Sequence, residues 1–432
     1  MAEILPIRPW RYNNKLGGEI DSLTSPLFDV VSEKQRDKLY QNPLNSIHLS
    51  VPRHGDIAAA GVLLKDWKAR GILRQDKLPG IYVYFQYFRE AGSSRIFCRK
   101  GFICHIRVYD WADGVILRHE NTMPGPVNDR IALLDETLLH ASPTHGLYTD
   151  PDHKLEAFMD LAINNPIYET EDYQGVRDVM AVIHDAKIIS EFVQTLAEMK
   201  IILADGHHRY EGSLKHFHRM RKTNPAHNDR QGYQFHLMYL TNTEADDLRI
   251  LPTHRLVHGM PHLNEEDMMK NLSEFFTIKV VENVDTLNEV IVGKQWTFGL
   301  IFAGSAYKIT LKPEVFPMLP WPFPDQIKRL DLTVMHYFII EKILGIPGKH
   351  QRTSKLIDFE RSFSECLKRV YNGDVQMAII TNEVTIEDVK SVTESGFTMP
   401  QKSTYFYPKV VGGFLFSSIR PEEFDSPTYA PF

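Results

Sequence analysis

The sequence predicts a mixed α/β protein of the α+β kind. Stretches such as GIYVYFQYF (residues 80–88), KIILA (200–204) and YQFHLMYLTN (233–242) are runs of β-branched, aromatic and aliphatic residues that read as buried strands. Between them lie segments with apolar residues at helical spacing; Ile188, Phe192, Leu196 and Met199 share one helical face. No long internal repeat and no low-complexity tract suggests a solenoid or a fibrous chain. At 432 residues the chain exceeds one core of ordinary size. Three regions are expected: 1–150, 151–260 and 261–432.

The elements follow in order. SEKQRDKLYQNP (32–43) is a short helix with Ser32 as its N-cap, and HGDIAAAGVLLKDWKARG (54–71) is a second, entered through Asp56 and stopped by Gly71. The strand at 80–88 is followed by another in RKGFICHIRVYDW (99–111). A helix near 187–199 precedes the strand KIILA. Beyond Asp205 the period turns helical, with Tyr210, Leu214 and Phe217 on one side. In the last region NEEDMMKNLSEFF is a helix capped by Asn264, and TIKVVE, WTFGLIFAG and AYKITLK are strands. PMLPWPFPD (317–325) is a Pro-rich surface connection, and LDLTVMHYFIIEKILG (330–345) is a strong amphipathic helix ended by Gly345.

Composition bounds the function. Hydrophobic residues make up 43% and charged residues 24%, as in soluble globular proteins. The formal net charge of −6 argues against nucleic acid as a partner, because binding it normally needs a basic face. Three cysteines, Cys98, Cys104 and Cys366, build neither a disulfide framework nor a zinc site. The first residues lack the apolar core of a leader peptide, and no run approaches the ~18 apolar residues of a membrane span. A cytoplasmic protein without a membrane partner is expected.

The stretch ILADGHHRYE (202–211) carries the chemistry. A strand runs into a Gly turn that opens a helix, which is an anion site by construction: the first helical amides lack intrahelical partners and the helix dipole is positive there. Gly206 permits the sharp turn, Arg209 offers a planar fork, and His207 and His208 add donors. Asp205 and Glu211 are candidates to hold Mg²⁺ or to take a proton. A metal site is the rival reading, since His207 and Glu211 are four apart, with Asp205 and His208 in reach. In the plainest reading Asp205 caps the helix and Glu211 pairs with Lys215. All three remain open at this stage. The sequence contains neither GxxxxGK[ST] nor GxGxxG.

The motif ADGHHRYE, together with FDVVSEKQRDKL, NPLNSIHL, IYVYFQYF, GFICHIRVYD, HENT with NDRIALL, ILPTHRLV, LDLTVMHYFIIEKILGI and MPQKSTYFYPK in the same order, resembles the family catalogued as domain of unknown function 1015, often labelled SpoOJ/ParA/ParB/RepB-like. The resemblance runs over nearly the whole chain. Where that family usually has Pro-Pro-Tyr-Asp-Val, this chain reads SPLFDV (25–30), keeping Pro26 and Asp29 without the tyrosine.

The family is similar to the ParB/sulfiredoxin superfamily, which includes free serine kinases. That resemblance implies a ParB/sulfiredoxin-like core with additional α/β regions packed around it. It also implies a nucleotide cofactor, ATP or ADP with CTP as a further option, accompanied by Mg²⁺. Gly206 and Arg209 match the phosphate-binding Gly and Arg, and His208 matches a His beside them. His207 stands where sulfiredoxins carry their nucleophilic Cys, so reduction of a sulfinic acid is not expected.

The implied function is phosphoryl transfer to a small hydroxyl-bearing metabolite, serine-kinase-like, or nucleotide hydrolysis. The alternatives are a ParB-like, nucleotide-switched DNA-binding module and a metal-dependent phosphoesterase. Catalytic candidates are Asp29, Glu120, Asp205 and His208; Asp29 and Glu120 are candidates for the base. Phosphate-binding candidates are Gly206, His207, His208, Arg209 and Lys402. Asp205 and Glu211 are the metal candidates, and His254, Arg255, Ser403 and Thr404 the substrate candidates. The expected partner is a small molecule, with a homodimer left open.

Overall fold

The computed structural model describes residues 2–27, 30–90, 94–172, 174–400 and 402–424. The chain is mixed α/β with several sheets and divides into two units. The first comprises 1–118, 122–248 and 408–432; the second comprises 119–121 and 249–407.

The first unit is built on a nine-stranded mixed sheet. Its order is Ile116–Arg118, Ile201–Asp205, Thr144–Tyr148, Phe235–Asn242, Phe97–Arg107, Ile81–Phe88, Arg177–Ile183 and Tyr168–Glu171, with Ile4–Leu5 pairing on Phe97–Arg107. Both faces are covered, which is why these strands read as continuous apolar runs. Along Ile81–Phe88 the side chains alternate between two cores. Ile81, Val83 and Phe85 join Phe102, Phe192 and Leu203 on one face. Tyr82 and Tyr84 join Trp67, Ile103 and Tyr239 on the other.

The three regions expected from the sequence are corrected here. A boundary at residue 150 would cut this sheet, since Thr144–Tyr148 pairs in parallel with Phe235–Asn242 and antiparallel with Ile201–Asp205. From residue 408 the chain also returns to the first unit, described as far as residue 424.

The second unit holds a six-stranded antiparallel sheet in the order Phe276–Val280, Ala306–Leu311, Thr297–Ile301, Met377–Ile380, His254–Val257 and Ile357–Glu360. Leu256, Ile301, Ala378 and Ile380 pack there against Cys366 and Val370 of the helix Phe363–Tyr371.

Local signals place most elements as expected. Ser32 caps Glu33–Leu39 in a capping box with Gln35. Asp56 accepts from the Ala59 amide to open Ile57–Ala69, and Asn264 does the same from Asp267 for Glu265–Phe275. One element differs: the helix expected at 330–345 is α-helical only over Asp331–Val334. From Met335 to Ile343 it winds as a π-helix, with the Leu344 amide donating to the Ile339 carbonyl five residues back.

Both cores bury histidines. Burial pulls His105 down to about 3, aided by neighbouring His140, and His140 itself to about 4. In the second unit burial and Arg255 pull His254 to about 4 and His336 to about 3. Asp178 moves the other way, pushed up by burial to about 7 despite hydrogen bonds from Tyr84 and Gln86. Each of these histidines takes up a proton near pH 6.5 only when unfolded, so acid favours unfolding. Asp178 binds its proton only when folded, below about 7, and opposes that trend. With four histidines against one carboxyl, stability is expected to fall as pH drops from 6.5 towards 4, by on the order of 1 kcal/mol per unit for each histidine. Melting temperature measured across that window tests this; a rise on acidification contradicts it.

Candidate functional site

The buried run Ile201 to Ala204 ends at Asp205, and Gly206 turns the chain into the helix His207–Thr223. Gly206 has φ of +88°, left-handed backbone that a β-carbon makes costly. A Cβ there would also lie 2.5 Å from Thr144 Cγ2 and 2.9 Å from Arg209 Nη2. Both the turn and the seat of Arg209 therefore need glycine.

Asp205 does not cap the helix. The N-cap is Gly206, without a side-chain cap. Asp205 instead clamps two cations: Oδ2 lies 3.2 Å from Arg209 Nη2 and Oδ1 lies 2.6 Å from Lys409 Nζ. Burial alone would raise its pKa, but the charges of Lys409 and Arg209 and the Lys409 hydrogen bond outweigh burial. They hold the carboxyl well below the ordinary carboxylate range. Arg209 Nη1 also donates to Ser142 Oγ at 3.0 Å and to the Pro143 carbonyl at 2.6 Å.

Alongside the helix, at Arg209 and Ser213, lies a cavity of about 50 Å³. Arg209, Arg130, Ser25, Ser50, Ser142 and Ser213 supply polar groups to its lining, and no carboxylate of a described residue does. Arg130 comes from the helix Pro124–Thr137, which approaches closely at Gly212, where a Cβ would stand 3.3 Å from Arg130 Cβ. Arg130 pairs with Asp129 (Nε to Oδ2, 2.9 Å) and donates to the Ser50 carbonyl at 2.7 Å. Ser213 and Thr144 hold the two ring nitrogens of His236 at 2.8 and 3.0 Å. Burial, reinforced by His140 and Arg209, keeps that imidazole neutral.

The remaining candidates are distributed as follows. His207 is buried at the start of the helix, and His208 Nε2 accepts from the Met123 amide at 3.1 Å. Glu211 accepts from Trp111 Nε1 at 2.7 Å and pairs loosely with Lys215 at 3.8 Å. Asp205 and Glu211 thus serve different partners. Among the described residues no group of three or more His, Cys, Asp or Glu is placed to hold a metal ion. With Asp205 already bound by two cations, this donor set does not suit Mg²⁺. Asp29 lies outside the described residues, as does Gln401.

Glu120, Lys402, Ser403, Thr404, His254 and Arg255 all belong to the second unit. Some of them meet there. Glu120 Oε1 accepts from the Ser403 amide at 3.3 Å, and Thr404 Oγ1 meets His119 Nε2 at 2.7 Å. His254 Nδ1 accepts from the Thr381 amide at 3.3 Å. Arg255 is fully buried; burial lowers its pKa to about 9, while Glu120 acts in the opposite sense.

The lysine at the Gly206 turn is Lys409, at the end of the MPQKSTYFYPK stretch, and not Lys402 near its start. Ser142, Arg130 and Lys409 were not among the sequence candidates. Lys409 had a legible signal, being a basic residue in a stretch already singled out; Ser142 had none.

A mixed α/β protein with a strand–Gly–helix turn built around a doubly clamped aspartate is thus defined. Residues 4–333 match the family model described as a protein of unknown function, DUF1015, and the chain belongs to that family. No curated protein matches it. Similar solved structures include a free serine kinase in complex with AMP, with 12% identity over 75% of this chain and 93% of that one and a TM-score of 0.37. A conserved hypothetical protein from Pyrococcus furiosus shows 12% identity over 75% and 97%, with a TM-score of 0.34. SbnI with a C-terminal truncation from Staphylococcus aureus shows 11% identity over 72% and 85%, also with a TM-score of 0.34. Likenesses this remote assign no role to any residue here. The SpoOJ/ParA/ParB/RepB label finds no support in these matches. No helix among the described residues is long and apolar enough to cross a membrane.

Replacing Gly206 by alanine is expected to destabilise the first unit by about 1–2 kcal/mol from left-handed backbone alone. The Thr144 contact adds to that. Urea unfolding measures it, and an unchanged midpoint contradicts the assigned turn.

Proposed function

We infer that the Gly206 turn binds the phosphates of a nucleotide. The observation that carries this is the cavity beside the helix it opens, where Arg209 and Arg130 converge with the hydroxyls of Ser25, Ser142 and Ser213; Asp205 and Asp129 pair with these arginines, but no described carboxylate lines the cavity. Guanidinium forks and hydroxyls are complementary to phosphate oxygens. The cavity holds little more than an anion of phosphate size, so the rest of a nucleotide would lie outside it.

In this reading Asp205 is a positioning residue. A carboxylate held far below neutral pH is a weak base, but it keeps Arg209 and Lys409 side by side. Phosphoryl transfer to a small hydroxyl-bearing metabolite, with ATP or ADP as donor, is the activity we attach to the site, and it draws on the sequence resemblance to serine-kinase-like proteins. The proposal assigns Mg²⁺ no protein ligand. Asp29, the base candidate that belongs to the first unit, remains the candidate to accept the hydroxyl proton.

A thermal-shift series with ATP, ADP and CTP tests the reading. A nucleotide at 100 times its Kd adds about 2.7 kcal/mol of apparent stability. Arg209→Ala and, separately, Arg130→Gln are expected to abolish that response while far-UV circular dichroism stays native. If both variants fold and respond as the parent does, the site is not a phosphate site.

A further inference from the structure

The Pro-rich stretch 317–325, expected as a surface connection, forms in the second unit one wall of a cavity of about 660 Å³. That volume lies within the usual range of small-molecule sites. Trp321 and Phe323 stand edge to face, centroids 5.8 Å apart at 82°, and Phe323 meets Phe397 in the same way at 6.4 Å and 81°. Phe359 adds a further ring. Phe359 and Phe397 each keep 40% of their surface exposed, an apolar patch of the kind that marks a binding surface. The indole is seated against backbone: a Cβ at Gly348 would lie 2.8 Å from Trp321 Cζ2.

On the opposite side the π-helical stretch Met335–Ile343 contributes His336 and Glu341. The polar atoms there are already used. His336 Nδ1 donates to Gln351 Oε1 at 2.6 Å, which leaves Nε2 as the acceptor facing Arg255 Nη2 at 3.4 Å. Gln351 Nε2 donates to the carbonyls of His336 and Ile346, each at 2.9 Å. Asn121 Nδ2 donates to Thr398 Oγ1 at 2.7 Å. A nucleobase, with several donors and acceptors on its edge, would leave them unpaired against such a lining. An apolar ring system loses nothing there.

Charge selects further. Lys349 and Arg352 are exposed lining residues, and Arg352 Nη2 reaches the Asn121 carbonyl at 3.2 Å. Glu341 is the one carboxylate among the described lining residues, and its Oε2 accepts from the Gly348 amide at 2.6 Å. Behind Phe359 and His336 sits the buried Arg255, its guanidinium 5.4 Å from the Phe359 ring centroid, its Nη1 donating to the Thr253 carbonyl. No ion pair joins it to a carboxylate among the described residues; Glu120 offsets part of its charge, and the remainder adds to that of Lys349 and Arg352. That sign disfavours a cationic guest despite the aromatic walls.

We propose that this cavity binds a small aromatic acid: a flat apolar ring system seated among Trp321, Phe323, Phe359 and Phe397, with its anionic group at Lys349 and Arg352. The site does not depend on the phosphate-binding reading of the first unit. The full chain would be titrated with three fluorescent probes: 8-anilinonaphthalene-1-sulfonate (anionic), N-phenyl-1-naphthylamine (neutral) and thioflavin T (cationic). The anionic probe is expected to bind saturably, one molecule per chain. Joint replacement of Lys349→Glu and Arg352→Glu should weaken it by about tenfold or more while leaving the neutral probe within about twofold. Phe397→Asp should weaken both probes. Thr398→Trp, which fills the cavity from its lining, replaces that variant if it fails to fold. The proposal is overturned if the anionic probe does not bind or is indifferent to the charge reversal. It is equally overturned if filling the cavity changes nothing, or if thioflavin T binds as tightly as the anionic probe.

Discussion

The first unit turns on one interaction, the Asp205 carboxylate held between Arg209 and Lys409. It joins three parts of the chain: the end of a central strand, the first turn of the helix that follows, and a segment that returns some two hundred residues later. Two cations that close would repel each other without the carboxylate between them. The carboxylate, buried without them, would be protonated. Each of the three charges is therefore tenable only in the presence of the others, and breaking such a buried set is far costlier than its net contribution suggests. Arg209 is held further by Ser142 and the Pro143 carbonyl, so its fork presents one geometry to the cavity.

Close backbone approach makes room for that arrangement. Gly206 lets the chain turn tightly against Thr144, and Gly212 lets the helix carrying Arg130 approach the helix carrying Arg209. A neutral His236, tied at both nitrogens, lies alongside without adding a competing charge. The two arginines are thereby the only cationic side chains among the described residues lining that cavity.

The second unit solves a different problem. Its cavity is walled by rings and backed by a π-helical stretch, and its polar groups satisfy one another. A guest there, as we propose it, would be selected by shape, apolar surface and the sign of the surrounding charge, whereas the proposed phosphate site of the first unit relies on directed donors. That His119–Asn121 and the segments ILPTHRLV and MPQKST fall in this unit separates the residues first read as a single site into two groups.

Local physics was legible in the sequence: the mixed α/β class, the caps at Ser32, Asp56 and Asn264, and the strand–Gly–helix turn. These follow from periodicity and from side chains that act on backbone within four residues; the family was legible through the resemblance of its motifs. Placement across the chain was not legible. Lys402 and Lys409 share one stretch, and only the return of the chain to the first unit at residue 408 decides which of them meets Asp205. The π winding of 335–343 leaves the amphipathic pattern unchanged, so periodicity alone reads it as an ordinary helix. The Pro-rich segment 317–325 carries the composition of a surface connection, yet its rings face a cavity because Gly348 admits the indole. Sequence determines what each segment can form; long-range packing, which composition does not encode locally, determines which charges end up beside one another.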